Sequence, residues 1–130
     1  MLAGLLGGRL SHALEHDGFV LHAQPILDLA SGTVSQHELL VRMRGDEGAL
    51  IAPGAILPSA ERHDLVQAID RWVARAAIDL IAEHARGGRE LRLEVNLSGR
   101  SIGDRELTRL IEDELARTAI DPASLIFEVT

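Results

Sequence analysis

Residues Gln36 to Arg44 read Gln-His-Glu-Leu-Leu-Val-Arg-Met-Arg and alternate with a period of two. That period belongs to a strand whose successive side chains point to opposite faces of a sheet. His37, Leu39, Val41 and Met43 take one face, and Gln36, Glu38, Leu40, Arg42 and Arg44 take the other. A chain built around this segment must bury one face and present polar groups on the other. Glu38 and Arg42 share the polar face, so an acid able to hold a metal and a cation able to hold a phosphate point into the same space. The plain alternative is a solvent-facing strand decorated with charge, and short motifs of this kind occur often by chance.

The flanking segments fix the context. Leu2, Leu5, Leu6, Leu10 and Leu14 recur at helical spacing to about Glu15, a helix or linker weakened by glycines and closed by Asp17-Gly18. Phe19 to Leu29 reads as a first strand interrupted at Pro25, which suits a strand end or edge. Ala30 to Thr33 is a turn short enough to make the first two strands an antiparallel hairpin. Gly45 to Pro53 reads as a loop, followed by a short helix to about Arg62. Asp64 and Gln67 have the spacing of a capping box for a long helix. Its apolar stripe is Leu65, Ile69, Trp72, Val73, Ala76, Leu80 and Ile81, with Trp72 a packing residue, and Gly87-Gly88 ends it.

Leu91 to Ser98 alternates again, with Leu91, Leu93, Val95 and Leu97 opposite Arg92, Glu94, Asn96 and Ser98. Asp104 opens a helix with Leu107, Leu110, Ile111 and Leu115 inward. After the Asp121-Pro122 turn, Leu125 to Val129 reads as a fourth strand with Ile126 and Glu128 on one face. Later strands each preceded by a helix spell an α/β fold with parallel strands.

Composition narrows the function. At 130 residues the chain holds one domain, and its 46% apolar content excludes disorder. The absence of cysteine excludes disulfides, thiolate zinc sites and cysteine nucleophiles, and fits a reducing cytoplasm. No apolar run reaches a membrane span. A net charge of −7, with one tryptophan, two phenylalanines and no tyrosine, disfavours a nucleic-acid polymer as partner. A phosphorylated ligand stays compatible if a metal and a few arginines supply local positive charge. In α/β barrels catalytic groups sit at the carboxyl ends of strands. Asn96 and Glu128 lie near such ends, whereas Glu38 lies nearer the middle of its strand. Three oxygen-bearing side chains on successive strands suit a hard cation such as Mg2+ or Mn2+. Taken singly, Asn96 also fits a strand-end cap and Glu128 a solvated charge.

In order along the chain, Phe19-Val-Leu-His-Ala-Gln24-Pro25-Ile26, Glu38-Leu39-Leu40-Val-Arg42, Pro53 to Arg62 with Ala60-Glu61-Arg62, Ile69-Asp70-Arg71-Trp72-Val73, Val95-Asn96-Leu97-Ser98 and Phe127-Glu128-Val129-Thr130 resemble the motifs of the EAL-domain phosphodiesterases of bacterial cyclic di-GMP signalling. The resemblance implies the amino-terminal half of a TIM-like (β/α) barrel with an antiparallel first strand, residues 19–130 being a partial EAL domain preceded by a helix or linker over 1–18. It implies a metal-dependent hydrolase that opens cyclic di-GMP to the linear dinucleotide. Glu38, Asn96 and Glu128 would ligate Mg2+ or Mn2+, with Glu38 catalytic, while Arg42 would hold a phosphate and Gln24 would contact the ligand. Two departures are Leu39 at the signature alanine, on the core face, and Ala23 in place of the more usual tyrosine.

A complete barrel takes roughly 250 residues, so the expectation is a half-domain with little activity alone. Its open fourth strand would recruit a second copy, as a homodimer, or the missing half. Three readings compete: half of an enzyme, a degenerate module that binds cyclic di-GMP or a protein partner without hydrolysis, and a bare structural fragment.

Overall fold

The hairpin forms from β1 (Phe19–Asp28) and β2 (Thr33–Arg44), paired antiparallel from Phe19 opposite Met43 to Asp28 opposite Thr33. The structure is a computed structural model that describes residues 2–45, 49–51 and 53–129. The turn is held locally: Ala30 N–H donates to Asp28 Oδ1 at 2.9 Å and Gly32 N–H to Asp28 O at 2.8 Å. Gly32 takes a φ of +71°, which a glycine adopts without strain. Pro25 does not interrupt β1. It pairs with His37 on a strand at the edge of the sheet, where a missing N–H costs no ladder bond. The irregularity falls instead at Ile26 and Leu27, where the register shifts by a bulge.

The strand order is β1-β2-β4-β5, with β4 (Leu93–Leu97) parallel to β2 and β5 (Leu125–Val129) parallel to β4. The fold is therefore mixed α/β, an antiparallel hairpin leading into parallel strands as a partial barrel. The segment expected as a loop over 45–53 contains a short β3 (Leu50–Ile51) against Met43 and Arg44, so Leu125–Val129 is the fifth strand and not the fourth. Gly45 N–H donates to Ala49 O at 2.7 Å to make the reversal. Two residues are too few to carry a periodicity. Residues 46–48 of that expected loop, together with Ala52 and Thr130, lie outside the described residues.

The helices are α1 (Leu2–Glu15), α2 (Pro53–Arg62), α3 (Val66–Arg86) and α4 (Arg105–Thr118). Asp17 and Gly18 turn the chain out of α1, and a Cβ on Gly18 would stand 2.8 Å from that of Ala13, so only glycine fits there. Leu10 and Ala13 of α1 are buried with Phe19, Leu39, Met43 and Ile56 in one core.

The start of α3 departs from the sequence expectation. Its N-cap is Leu65, without a side-chain cap, and Asp64 sits at φ +56°. Gln67 does not turn back on Asp64 but donates to Arg100 O at 2.9 Å, a tertiary partner that replaces the capping box. The buried face of α3 is also rotated slightly from the expected stripe. It takes in Val66, Ala74, Ala77 and Ile78 and leaves Leu65, Ala76 and Leu80 half-buried. Trp72 packs as expected, its ring 5.2 Å from that of Phe19 and its indole N–H directed to Asp17. The helix ends at Gly87-Gly88, where Arg89 N–H closes onto His84 O and Gly88 takes φ +74°. No described helix is long and apolar enough to cross a membrane.

Candidate functional site

The alternation of β4 sends Leu93, Val95 and Leu97 into the core and leaves Glu94 and Asn96 half-exposed on the other face. Register decides what they meet. Glu94 lies directly opposite Glu38 on β2, and Asn96 directly opposite Glu128 on β5. Residues directly opposite share a face, and Gln24 on β1 is opposite Glu38 in turn. The result is two adjacent rows, Gln24–Glu38–Glu94 and Asn96–Glu128, on the polar face.

Glu38 is in the middle of the twelve-residue β2 but not in the middle of the parallel sheet. The pairing of β2 with β4 covers only His37 to Leu39 before the strands part. Glu38 thus lies one residue before the last paired position, opposite Glu94, the second residue of β4, and its side chain meets that of Asn96 further along the strand. Asn96 Nδ2 donates to Glu38 Oε1 at 2.8 Å. The bond uses the amide nitrogen, so the amide oxygen of Asn96 is not committed to Glu38.

Glu128 is exposed near the end of β5, and its carboxyl reaches Glu94. Its pKa is raised above the ordinary glutamate value, first by the hydrogen bond to Glu94 and then by the charge of Glu94, with desolvation and the charge of Glu38 adding to it. Glu38, Glu94 and Glu128 therefore feel one another on a single face. None of the described ion pairs involves any of the three. Among the described residues no group of three or more His, Asp or Glu side chains is gathered as a metal-binding cluster. The acids are neighbours on the sheet without forming a closed shell.

Arg42 lies two pleats beyond Glu38, paired with Val20. Its guanidinium donates to Val41 O at 2.9 Å and is folded onto the backbone of its own strand. Gln24 is exposed on the edge strand.

Two further groups shape this end of the sheet. Asp70 of α3 is buried and accepts from Ser98 N at 2.9 Å and from the Ser101 hydroxyl at 2.5 Å, tying the turn after β4 to the helix. Burial pushes its carboxyl pKa up, against the opposing pull of those two hydrogen bonds and of Arg71. A cavity of about 200 Å³ opens beside it, lined among others by Leu40, Leu57, Glu61, Asp70, Asn96 and Ser98. A larger groove of about 430 Å³ runs among the helices past Trp72 and Arg109 and touches none of the strand-end acids.

Glu94 and its partner Gln36, whose Nε2 donates to Glu94 Oε2 at 3.0 Å, are the polar-face residues that the sequence reading did not single out. The signal was present, because Glu94 shares parity with Asn96 in one strand. What parity lacks is the register between strands, which sets Glu94 against Glu38.

A family model described as the EAL domain matches residues 8–130. The chain is 37% identical over 122 residues to the cyclic di-GMP phosphodiesterase PdeF of Escherichia coli, covering 94% of this chain and 16% of that protein. It is 36% identical over 122 residues to the cyclic di-GMP phosphodiesterase NbdA of Pseudomonas aeruginosa, covering 93% and 16% respectively. Among solved structures, the FimX EAL domain of Xanthomonas citri in complex with c-diGMP superposes with a TM-score of 0.90 at 31% identity, covering 98% of this chain and 49% of that one. The chain thus spans about half of that solved domain and a far smaller share of the two relatives.

Proposed function

Because the chain belongs to the EAL-domain family, we propose that it supplies the first strands of a barrel that hydrolyses cyclic di-GMP to the linear dinucleotide. The observation that carries this reading is the Glu38–Asn96 contact at 2.8 Å, with Glu128 beside Asn96 at the same strand ends. The donor set fits a hard divalent cation, Mg2+ or Mn2+: carboxylate and amide oxygens, with acids that no described ion pair neutralises. Glu38, Asn96 and Glu128 would hold it. When bound, such a cation polarises the phosphoryl oxygens and lowers the pKa of the attacking water.

The chain's own residues have separate tasks in this reading. Glu38 is the catalytic carboxylate of the set, and Asn96 orients it through the amide N–H. Arg42 binds a phosphate once its guanidinium leaves Val41 O, a fork suited to phosphate oxygens. Gln24, in the Glu38 row, contacts the ligand from the edge strand. The remaining groups of the site belong to the half of the matched domain that the chain does not span, so the 130 residues alone hydrolyse cyclic di-GMP negligibly. The complementary strands come from further polypeptide or from a second copy packed as a twofold homodimer against β5. The cytoplasm is where this chemistry would act.

Binding without hydrolysis is the second reading. It is favoured by the likeness to an EAL domain solved with its dinucleotide. Calorimetry with cyclic di-GMP, run beside chromatography of the products, separates the two. The first reading expects linear product when the complementary half is added, abolished by Glu38→Ala. Binding with no product under that condition overturns it in favour of the second.

A further inference from the structure

The polar face of the hairpin runs as three successive cross-strand rows. Gln24 is opposite Glu38, His22 opposite Leu40, and Val20 opposite Arg42. The register shift falls only between Ile26 and Leu27, so the parity from Val20 to Gln24 is unbroken and His22 shares the face of Glu38 and Arg42. Successive rows on one face stand roughly 6.7 Å apart along the strand. A ligand that touches Gln24 at one end and Arg42 at the other spans roughly 13 Å and passes over the His22–Leu40 row.

The same face has few donors left for an anion. Asn96 donates to Glu38, Gln36 to Glu94, and Arg42 to Val41 O. His22 is exposed, and its ring enters no hydrogen bond or ion pair among the described residues. Gln24 and Arg44 are free in the same sense, but Gln24 is level with the Glu38 carboxylate and Arg44 ends β2 beyond Arg42. His22 is diagonal to Arg42, a separation that aromatic and long side chains bridge. An imidazole keeps an N–H to donate in either protonation state. An exposed histidine on an edge strand is ordinarily only solvated. This one stands between two residues that the proposed function gives to the ligand.

We infer that His22 is a further ligand-binding residue: its imidazole N–H donates to a phosphate oxygen of cyclic di-GMP, beside the oxygens that Arg42 takes. The inference rests on the reading given above, in which Gln24 and Arg42 contact that ligand, and adds to it a donor on β1. Leu40, opposite His22, has no polar side-chain atom, so the side-chain hydrogen bond of this row comes from β1 alone.

Calorimetric titration of the whole chain with cyclic di-GMP tests it, read together with phosphorus NMR of the bound dinucleotide and with thermal midpoints. His22→Ala removes the donor. It is expected to weaken binding by roughly tenfold or more, the usual effect of losing a hydrogen bond to a charged group, and to move a phosphorus resonance of the bound ligand. His22→Gln keeps an N–H at similar reach and is expected to recover most of the affinity. Both variants should keep the parent's thermal midpoint, because the side chain is exposed and bonded to nothing among the described residues. If His22→Ala binds like the parent while Arg42→Ala does not, the role of His22 is overturned and the dinucleotide reading stands. If His22→Gln is as weak as His22→Ala, or affinity falls with the phosphorus resonances unmoved, donation to phosphate is overturned. If Arg42→Ala and Gln24→Ala also bind like the parent, or the parent binds no cyclic di-GMP, that reading fails and the role of His22 fails with it.

Discussion

The two faces of β4 are made by five consecutive residues and have opposite fates. Leu93, Val95 and Leu97 are 1%, 0% and 9% exposed and pack among the helices. Glu94 and Asn96, between them, stay half-exposed and bond sideways to Gln36 and Glu38 on the neighbouring strand. The apolar face is held by burial, which is non-directional and accumulates with area. The polar face is held by register, because its bonds exist only if each strand is set to the residue against the next. One face therefore carries the stability of the fold, and the other spends little of it to gather acids.

The strongest way to break that division is on the apolar side. Leu93→Ala should cost about 2–5 kcal/mol, the range for truncating a fully buried leucine, read as a lower denaturant midpoint. A loss below that range would mean that the helices do not depend on this face.

Asp70 comes next, because it is the buried joint between the two faces. Asp70→Ala leaves the Ser98 N–H and the Ser101 hydroxyl without their acceptor and should cost about 1–3 kcal/mol. Asp70→Asn keeps an acceptor and should cost less. The pH dependence has a definite sign. The folded carboxyl titrates above its ordinary value, so the native state binds more protons than the unfolded one just above the ordinary aspartate pKa, roughly pH 4. The contribution of Asp70 to stability is therefore largest at low pH and declines as pH rises through the folded value. Urea midpoints measured upward from that pH should fall less steeply in Asp70→Asn than in the parent; parallel slopes would remove Asp70 as the cause.

The smallest effect belongs to the polar face. Asn96→Ala removes one half-exposed hydrogen bond, worth about 0.5–1.5 kcal/mol, while the proposed function requires it to weaken Mn2+ binding severely. A stability loss comparable to that of Leu93→Ala would erase the distinction between the faces.

Much of this was legible in the residues, and the misses have one physical origin. The hairpin, the long helix to Gly87-Gly88, and the alternation of β4 and β5 all follow from local periods of 2 and 3.6. The shared face of Glu38 and Arg42 follows from the same parity. What local patterns do not contain is the identity of a distant partner. Gln67 has capping-box spacing but is captured by the carbonyl of Arg100, 33 residues on. Glu94 has the right parity but becomes notable only when the parallel register sets it opposite Glu38. The bridge of β3 exists only because Met43 and Arg44 offer an edge to Leu50 and Ile51. Glu38 sits one residue before the end of the parallel ladder because β2 leaves β4 after Leu39, and no count along one strand can show that.

The most direct test of a cation site on the polar face is anomalous diffraction from crystals of the chain soaked in Mn2+. The expected result is a manganese peak between the Glu38 carboxylate and the Asn96 amide, within reach of Glu128. Manganese at another surface, with that face empty under conditions where the protein binds Mn2+ in solution, would contradict it.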